Sequence, residues 1–152
     1  MPWPAGASAP DPAIVTALQS VPAGKRLIVE LAANPMPSDD TGRGALAVYA
    51  RSLVQQVPGI SDLLLGPAPA VATTRGYVAA LGSLYDAVKP GVSTLTIAGE
   101  LDGATSPKAT LASLTEKYVE AGRSAPLMDE LAFLPSTVVK SGAWTIDSYS
   151  QL

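Results

Sequence analysis

The chain has 152 residues, 47% of them hydrophobic and 15% charged, with a net charge of −3 at pH 7. That is long enough for one domain with a real core, too apolar for disorder, and too interrupted by 13 glycines and 14 prolines for a membrane span. Cysteine, histidine and any basic cluster are absent, which excludes disulfides, thiol nucleophiles, imidazole bases, thiolate or imidazole metal sites, and the electrostatic footprint of a nucleic-acid or anionic-membrane binder.

Residues 1–10 are a loose Pro/Ala/Gly/Ser-rich segment, and Met1 to Pro12 has neither the basic nor the apolar region of a signal peptide, which leaves localisation open. The repeat domain is expected over 11–136. Asp11-Pro12 reads as N-cap and N1 of a helix with Ile14, Val15 and Leu18 on one face. Leu27 to Leu31 is the first strand, interrupted by Glu30 and ended at Asn34-Pro35. Ser38-Asp39-Asp40-Thr41 offers caps for a helix to about Gln56, with Leu46, Ala50, Leu53, Val54 and Val57 as its core stripe. Leu63 to Leu65 is a short apolar run, as in a strand covered on both faces, and stops at Gly66-Pro67-Ala68-Pro69.

Thr73 or Thr74 is the expected cap of a third helix, built on Val78, Leu81, Leu84, Tyr85 and Val88 and ended by Lys89-Pro90-Gly91. Ser93 to Ala98 is the third strand, with Glu100 and Asp102 just past it. Ser106-Pro107 opens a fourth helix expected to bury Leu111, Leu114, Tyr118 and Val119 before Gly122, and Leu131 to Leu134 is a fourth strand. Residues 137–152 form a tail with Val138-Val139 and Trp144 but no repeat of the unit.

Alternating strands and helices with short connections imply a parallel sheet with strands side by side in sequence order. Neither a Gly-x-Gly-x-x-Gly fingerprint nor a P-loop follows any strand, which argues against nucleotide binding. The fold class is therefore α/β, with about four parallel strands and four helices.

Three stretches together carry a family resemblance. They are Tyr49-Ala50-Arg51-Ser52-Leu53 through Pro58-Gly59 to Leu63-Leu64-Leu65-Gly66; Gly76-Tyr77-Val78 through Tyr85-Asp86-Ala87-Val88-Lys89-Pro90-Gly91 to Ile97-Ala98-Gly99; and Tyr118-Val119-Glu120-Ala121-Gly122-Arg123 through Pro126-Leu127-Met128-Asp129 to Ala132-Phe133. In that order they resemble the middle of a (β/α)8-barrel glycoside hydrolase of the superfamily whose acid/base glutamate ends the fourth strand. The resemblance covers roughly Lys25 to Pro135 and implies a partial, half TIM-barrel-like repeat corresponding to strands three to six. It also shows where the family chemistry is lost. The family's Gly-Asn-Glu-Pro turn corresponds to Gly66, Pro67, Ala68 and Pro69, so the acid/base carboxylate is Ala68. The Phe-His-Pro-Tyr strand end corresponds to Phe133, Leu134, Pro135 and Ser136, and the nucleophile strand has no counterpart in Thr137 to Leu152.

The resemblance thus implies a catalytically inactive glycoside-hydrolase-like protein or fragment, at most a weak carbohydrate binder; the alternative is a small hydrolase acting on glycosides through Glu30, Glu100 and Asp102. No residue is assigned a catalytic role, and Glu30, Glu100 and Asp102 are the candidate substrate-binding residues. For Glu100 and Asp102 a solvated loop with an Asp102-Gly103 turn is the simpler reading. For Glu30 it is a strand-end side chain bent to solvent, unless Lys25, Arg26 or an amide reaches it. Asp39-Asp40 is a helix cap rather than a metal site, Ser106 is a cap rather than a nucleophile paired with Lys108, and Trp3 and Trp144 are more simply buried or exposed than sugar-stacking platforms. No cofactor or metal is expected. Carbohydrate and self-association through raw sheet edges are the expected partners, with nucleic acid and membrane excluded.

Overall fold

Asp11 and Pro12 open the first helix, α1 (Pro12–Gln19), by the chemistry of their side chains: the Asp11 carboxylate accepts from the Ala13 amide at 2.7 Å and the proline fills N1. The structure is a computed structural model and describes residues 1–102, 107–134, 137–140 and 143–146. After α1 come β1 (Leu27–Ala32), α2 (Asp40–Gln56), β2 (Ile60–Gly66), α3 (Thr74–Val88), β3 (Thr96–Asp102), α4 (Pro107–Glu120) and β4 (Glu130–Leu134). The four strands form one parallel sheet in the order β1-β2-β3-β4, so the chain is a half β/α repeat.

One face of this sheet carries Val29, Leu31, Leu63, Leu65, Ile97 and Leu101, all buried, against α2 and α3. Their partners are the stripes that the three- and four-residue spacing predicts. Leu46, Ala50 and Leu53 of α2 and Leu81 and Leu84 of α3 are 0% exposed. Side chains alternate along a strand, so the opposite face holds Ile28, Glu30, Asp62, Leu64, Ala98, Glu100 and Glu130. That face is open enough to leave Ile28 56% exposed and Glu30 and Glu130 in solvent.

Several expectations need correction. The third strand begins at Thr96 and runs through Gly99, Glu100 and Leu101, so Glu100 and Asp102 lie within β3 rather than after it. An apolar run marks only a strand covered on both faces; here one face is open, and Glu100 is the alternate residue on it. Leu111 (41% exposed) and Val119 (70%) of α4 do not join the core that Leu114 enters, because α4 turns only one side to α3, β3 and the short turn Val71–Thr73. Neither Thr73 nor Thr74 caps α3 by accepting; both hydroxyls donate back, to Ala70 and Val71 carbonyls.

The first residues are not isolated either. Pro2 bridges Ala32 in parallel, with Trp3 N to Ala32 O and Ala32 N to Met1 O bonds, and Trp3 is buried at 5% exposed. Its indole N–H donates to Ala7 O. In the tail, β5 (Thr137–Lys140) pairs antiparallel with β6 (Ala143–Ile146), a hairpin that the composition gives no sign of.

The motif residues of the second and third stretches form a clamp at the amino ends of β3 and β4. Tyr85 and Lys89 both donate to the Asp129 carboxylate, which also accepts from the Ile97 amide, while Arg123 grips Asp86 through two nitrogens and donates twice to the Pro126 carbonyl. Burial alone would raise the Asp129 pKa, but the Lys89 and Ile97 hydrogen bonds win and hold it below its usual value.

Candidate carboxylate site at the carboxyl end of the sheet

Glu30 from β1 and Glu100 from β3 meet over the last residue of β2. Gly66 lies between β1 and β3, and a β-carbon built there would stand 2.6 Å from Glu30 Oε1 and 2.9 Å from Glu100 Oε2. The carboxylates therefore occupy the space a side chain would fill, which explains the glycine. Two oxygens that close to one point are no more than about 5.5 Å apart, within reach of each other's charge.

The two acids differ in environment. Glu30 is exposed, whereas Glu100 is 2% exposed. Burial and then the charge of Glu30 push the Glu100 pKa up to about 7, against the opposing Ala68 N–H hydrogen bond and the Met1 ammonium. At neutral pH Glu100 is thus poised between acid and carboxylate while its neighbour faces solvent. Ala68 sits half-buried immediately beyond the strand end, its amide on Glu100 and its methyl lining a cleft of about 360 Å³ with Asn34, Pro35, Met36, Pro67 and Pro69. Crevices at the carboxyl ends of parallel strands are where α/β proteins take ligands.

Tyr77 of α3 supports Glu100 from below. Its hydroxyl accepts from the Glu100 amide and donates to the Leu65 carbonyl, each at 2.6 Å, and burial raises its own pKa above the usual tyrosine value. It enters past Gly99, where a β-carbon would lie 3.3 Å from its oxygen. The sequence offers a signal for it: Tyr77 shares the stripe of Leu81, Leu84 and Val88, and a buried tyrosine needs a partner for its hydroxyl.

Of the three candidate residues, then, Glu30 and Glu100 come together. Asp102 ends β3 opposite Leu134, and its side chain lies outside the described residues, as do Ser106 and the side chain of Trp144. Glu30 projects on the open inner face from mid-strand, not from a strand end. Neither Lys25 nor Arg26 answers it: Arg26 instead reaches Asp62, Nε to Oδ2 at 2.7 Å with a second bond from Nη2. Asp62, 3% exposed, is not among the candidate residues because the apolar run that marks the second strand begins at Leu63, three residues after β2 itself begins at Ile60. Hydrogen bonding from Arg26 holds its pKa down despite burial. Asp39 caps α2 by accepting from the Gly42 amide, as expected.

Among the described residues there is no group of three acidic, cysteine or histidine side chains placed to hold a metal ion, and no helix is long and apolar enough to cross a membrane. Fold and site together define a β/α-repeat protein with a pair of carboxylates at the carboxyl end of its parallel sheet. Comparison with protein-family models, with curated proteins and with solved structures gives no match for this chain.

Proposed function

We propose that the chain is a glycoside-hydrolase-like β/α protein that has lost the family's acid/base reaction and binds carbohydrate weakly at the carboxyl end of its sheet. The observation that carries this reading is residue 68. At the strand end, where the resembling family delivers a proton, stands Ala68, whose methyl has none to give and whose backbone amide instead ties down Glu100. The exposed Glu30 side chain can accept from sugar hydroxyls, and the cleft on the far side of Ala68 can take an apolar ring face. The clamp of Tyr85, Lys89, Asp129, Asp86 and Arg123 adds support, since residues quoted for the resemblance work as one structural unit. Titration calorimetry with neutral oligosaccharides should find a dissociation constant of about 1 mM or weaker. Loss of that signal in Glu30→Ala is expected, and no binding to any sugar in the wild type would sink the proposal.

A second reading has one observation in its favour. Two carboxyls with oxygens within about 5.5 Å, one buried with its pKa pushed up to about 7 and one exposed, offer the unlike environments that a retaining glycosidase gives its acid and its nucleophile. Glu100 would pass its proton to the departing oxygen as Glu30 bonds the anomeric carbon, and water would then cleave the glycosyl ester, returning the proton to Glu100. Turnover of aryl glycosides that disappears in Glu100→Gln would establish this reading over the first; wild-type protein without turnover removes it.

A further inference from the structure

We propose that Tyr77 is the positioning residue of this site, a hydroxyl wedge that holds the carboxyl ends of β2 and β3 apart and thereby sets how closely the Glu30 and Glu100 carboxylates approach. This rests on the reading that those two acids form the site. The register pairs Leu65 with Gly99, so the Leu65 carbonyl and the Glu100 amide face each other across the two strands. In an ordinary parallel ladder such groups bond directly at about 2.9 Å. Here the Tyr77 oxygen stands between them, 2.6 Å from each. Two bonds through one oxygen put the nitrogen and the carbonyl roughly 4 Å apart.

The wedge acts where it has most effect. The amide it holds belongs to Glu100 itself, and the carbonyl it holds precedes Gly66, the residue over which the two carboxylates meet. At 1% exposure Tyr77 has no water to turn to, so its donor and its acceptor are both committed to the strands. Gly99 gives it room, since a β-carbon there would lie 3.0 Å from Leu81 and from Met128 and 3.3 Å from the Tyr77 oxygen. Without the hydroxyl, the Glu100 amide and Leu65 carbonyl are left facing one another, and a direct bond between them draws Glu100 toward Gly66 and Glu30.

The test measures the interaction of the two acids by NMR titration of side-chain carboxyl carbons in wild type, Glu30→Gln, Tyr77→Phe and the double variant. Glu30→Gln should lower the Glu100 midpoint by about one pH unit in the wild type. In the Tyr77→Phe background the drop should grow at least about twofold, since like charges brought closer interact more strongly. An equal drop in both backgrounds overturns the proposal, because a tyrosine that only fills space changes stability and leaves the coupling alone. Should Tyr77→Phe fail to fold, the wild type decides. A slowly exchanging Tyr77 hydroxyl proton with a cross-peak to the Glu100 amide supports the wedge, and a hydroxyl exchanging at the solvent rate refutes it. No sugar enters these measurements, so failed carbohydrate binding leaves their result standing, and an unchanged coupling beside intact binding removes the wedge alone.

Discussion

The open face of the sheet buries two carboxylates, and it treats them oppositely. At the amino end Asp62 is gripped by Arg26 through two nitrogens, and its pKa is held below the usual value. At the carboxyl end Glu100 is as deeply buried but faces a second carboxylate, with the Ala68 amide as its hydrogen-bond donor, and its pKa is pushed up to about 7. A charge satisfied by its opposite is a structural element; a charge held against its like is stored where binding or chemistry can use it. The amino end of a parallel sheet is accordingly the place for stability and the carboxyl end the place for ligands.

The largest effect should come from breaking the satisfied end. Arg26→Met strands a buried carboxylate, and the urea midpoint at pH 7 should fall by roughly 1 M. The loss should vanish in acid. Asp62 has a depressed folded pKa, so its contribution is present above its ordinary value of 3.8 and is lost as pH falls through the lower folded value. An unchanged midpoint in Arg26→Met would remove the contrast between the two ends.

Glu100 should behave with the opposite sign. Its folded pKa of about 7 lies above the ordinary 4.5, so between those values the folded chain holds a proton that the unfolded chain has released. Stability is therefore full below pH 4.5 and declines as pH rises to 7. Glu100→Gln should be more stable than wild type at pH 8 by roughly 2 kcal/mol, a figure already reduced for solvent screening beside the exposed Glu30, and equal to it at pH 4. Chemical denaturation at the two pH values checks this; a pH-independent difference would mean Glu100 is not held protonated. The smallest effect belongs to Gly66→Ala. Its new methyl must displace the tips of two side chains, costing about 1 kcal/mol, and Glu30→Ala in the same chain should recover most of that. Equal cost in both backgrounds would place the carboxylates elsewhere.

Much of the fold was legible because its signals are local. Asp11-Pro12 and Asp39 cap helices by their own side chains, and the stripes of α2 and α3 follow from spacing alone. The strand ends were not legible. An apolar run defines a strand only where both faces are covered, so the apolar pattern stops short of Glu100 in β3 and begins only after Asp62 in β2. The site was half legible for the same reason. Glu30 and Glu100 stand out as acids near strands, and the helix spacing marks Tyr77 as buried, but nothing local tells that Gly66 lies between the acids or that the Tyr77 hydroxyl bonds the Glu100 amide.

By itself the sequence determined the order of elements, the parallel sheet they imply, the helix caps and the chemical groups on hand, since each depends on neighbours within a turn or two of chain. Only the tertiary structure decided which acids meet. Register is set by the packing of three strands and a helix drawn from 70 residues of chain, Glu30 to Gly99. That packing sent Arg26 to Asp62 and left Glu30 to face Glu100, because a carboxylate's partner is fixed by distance in space and not by distance along the chain.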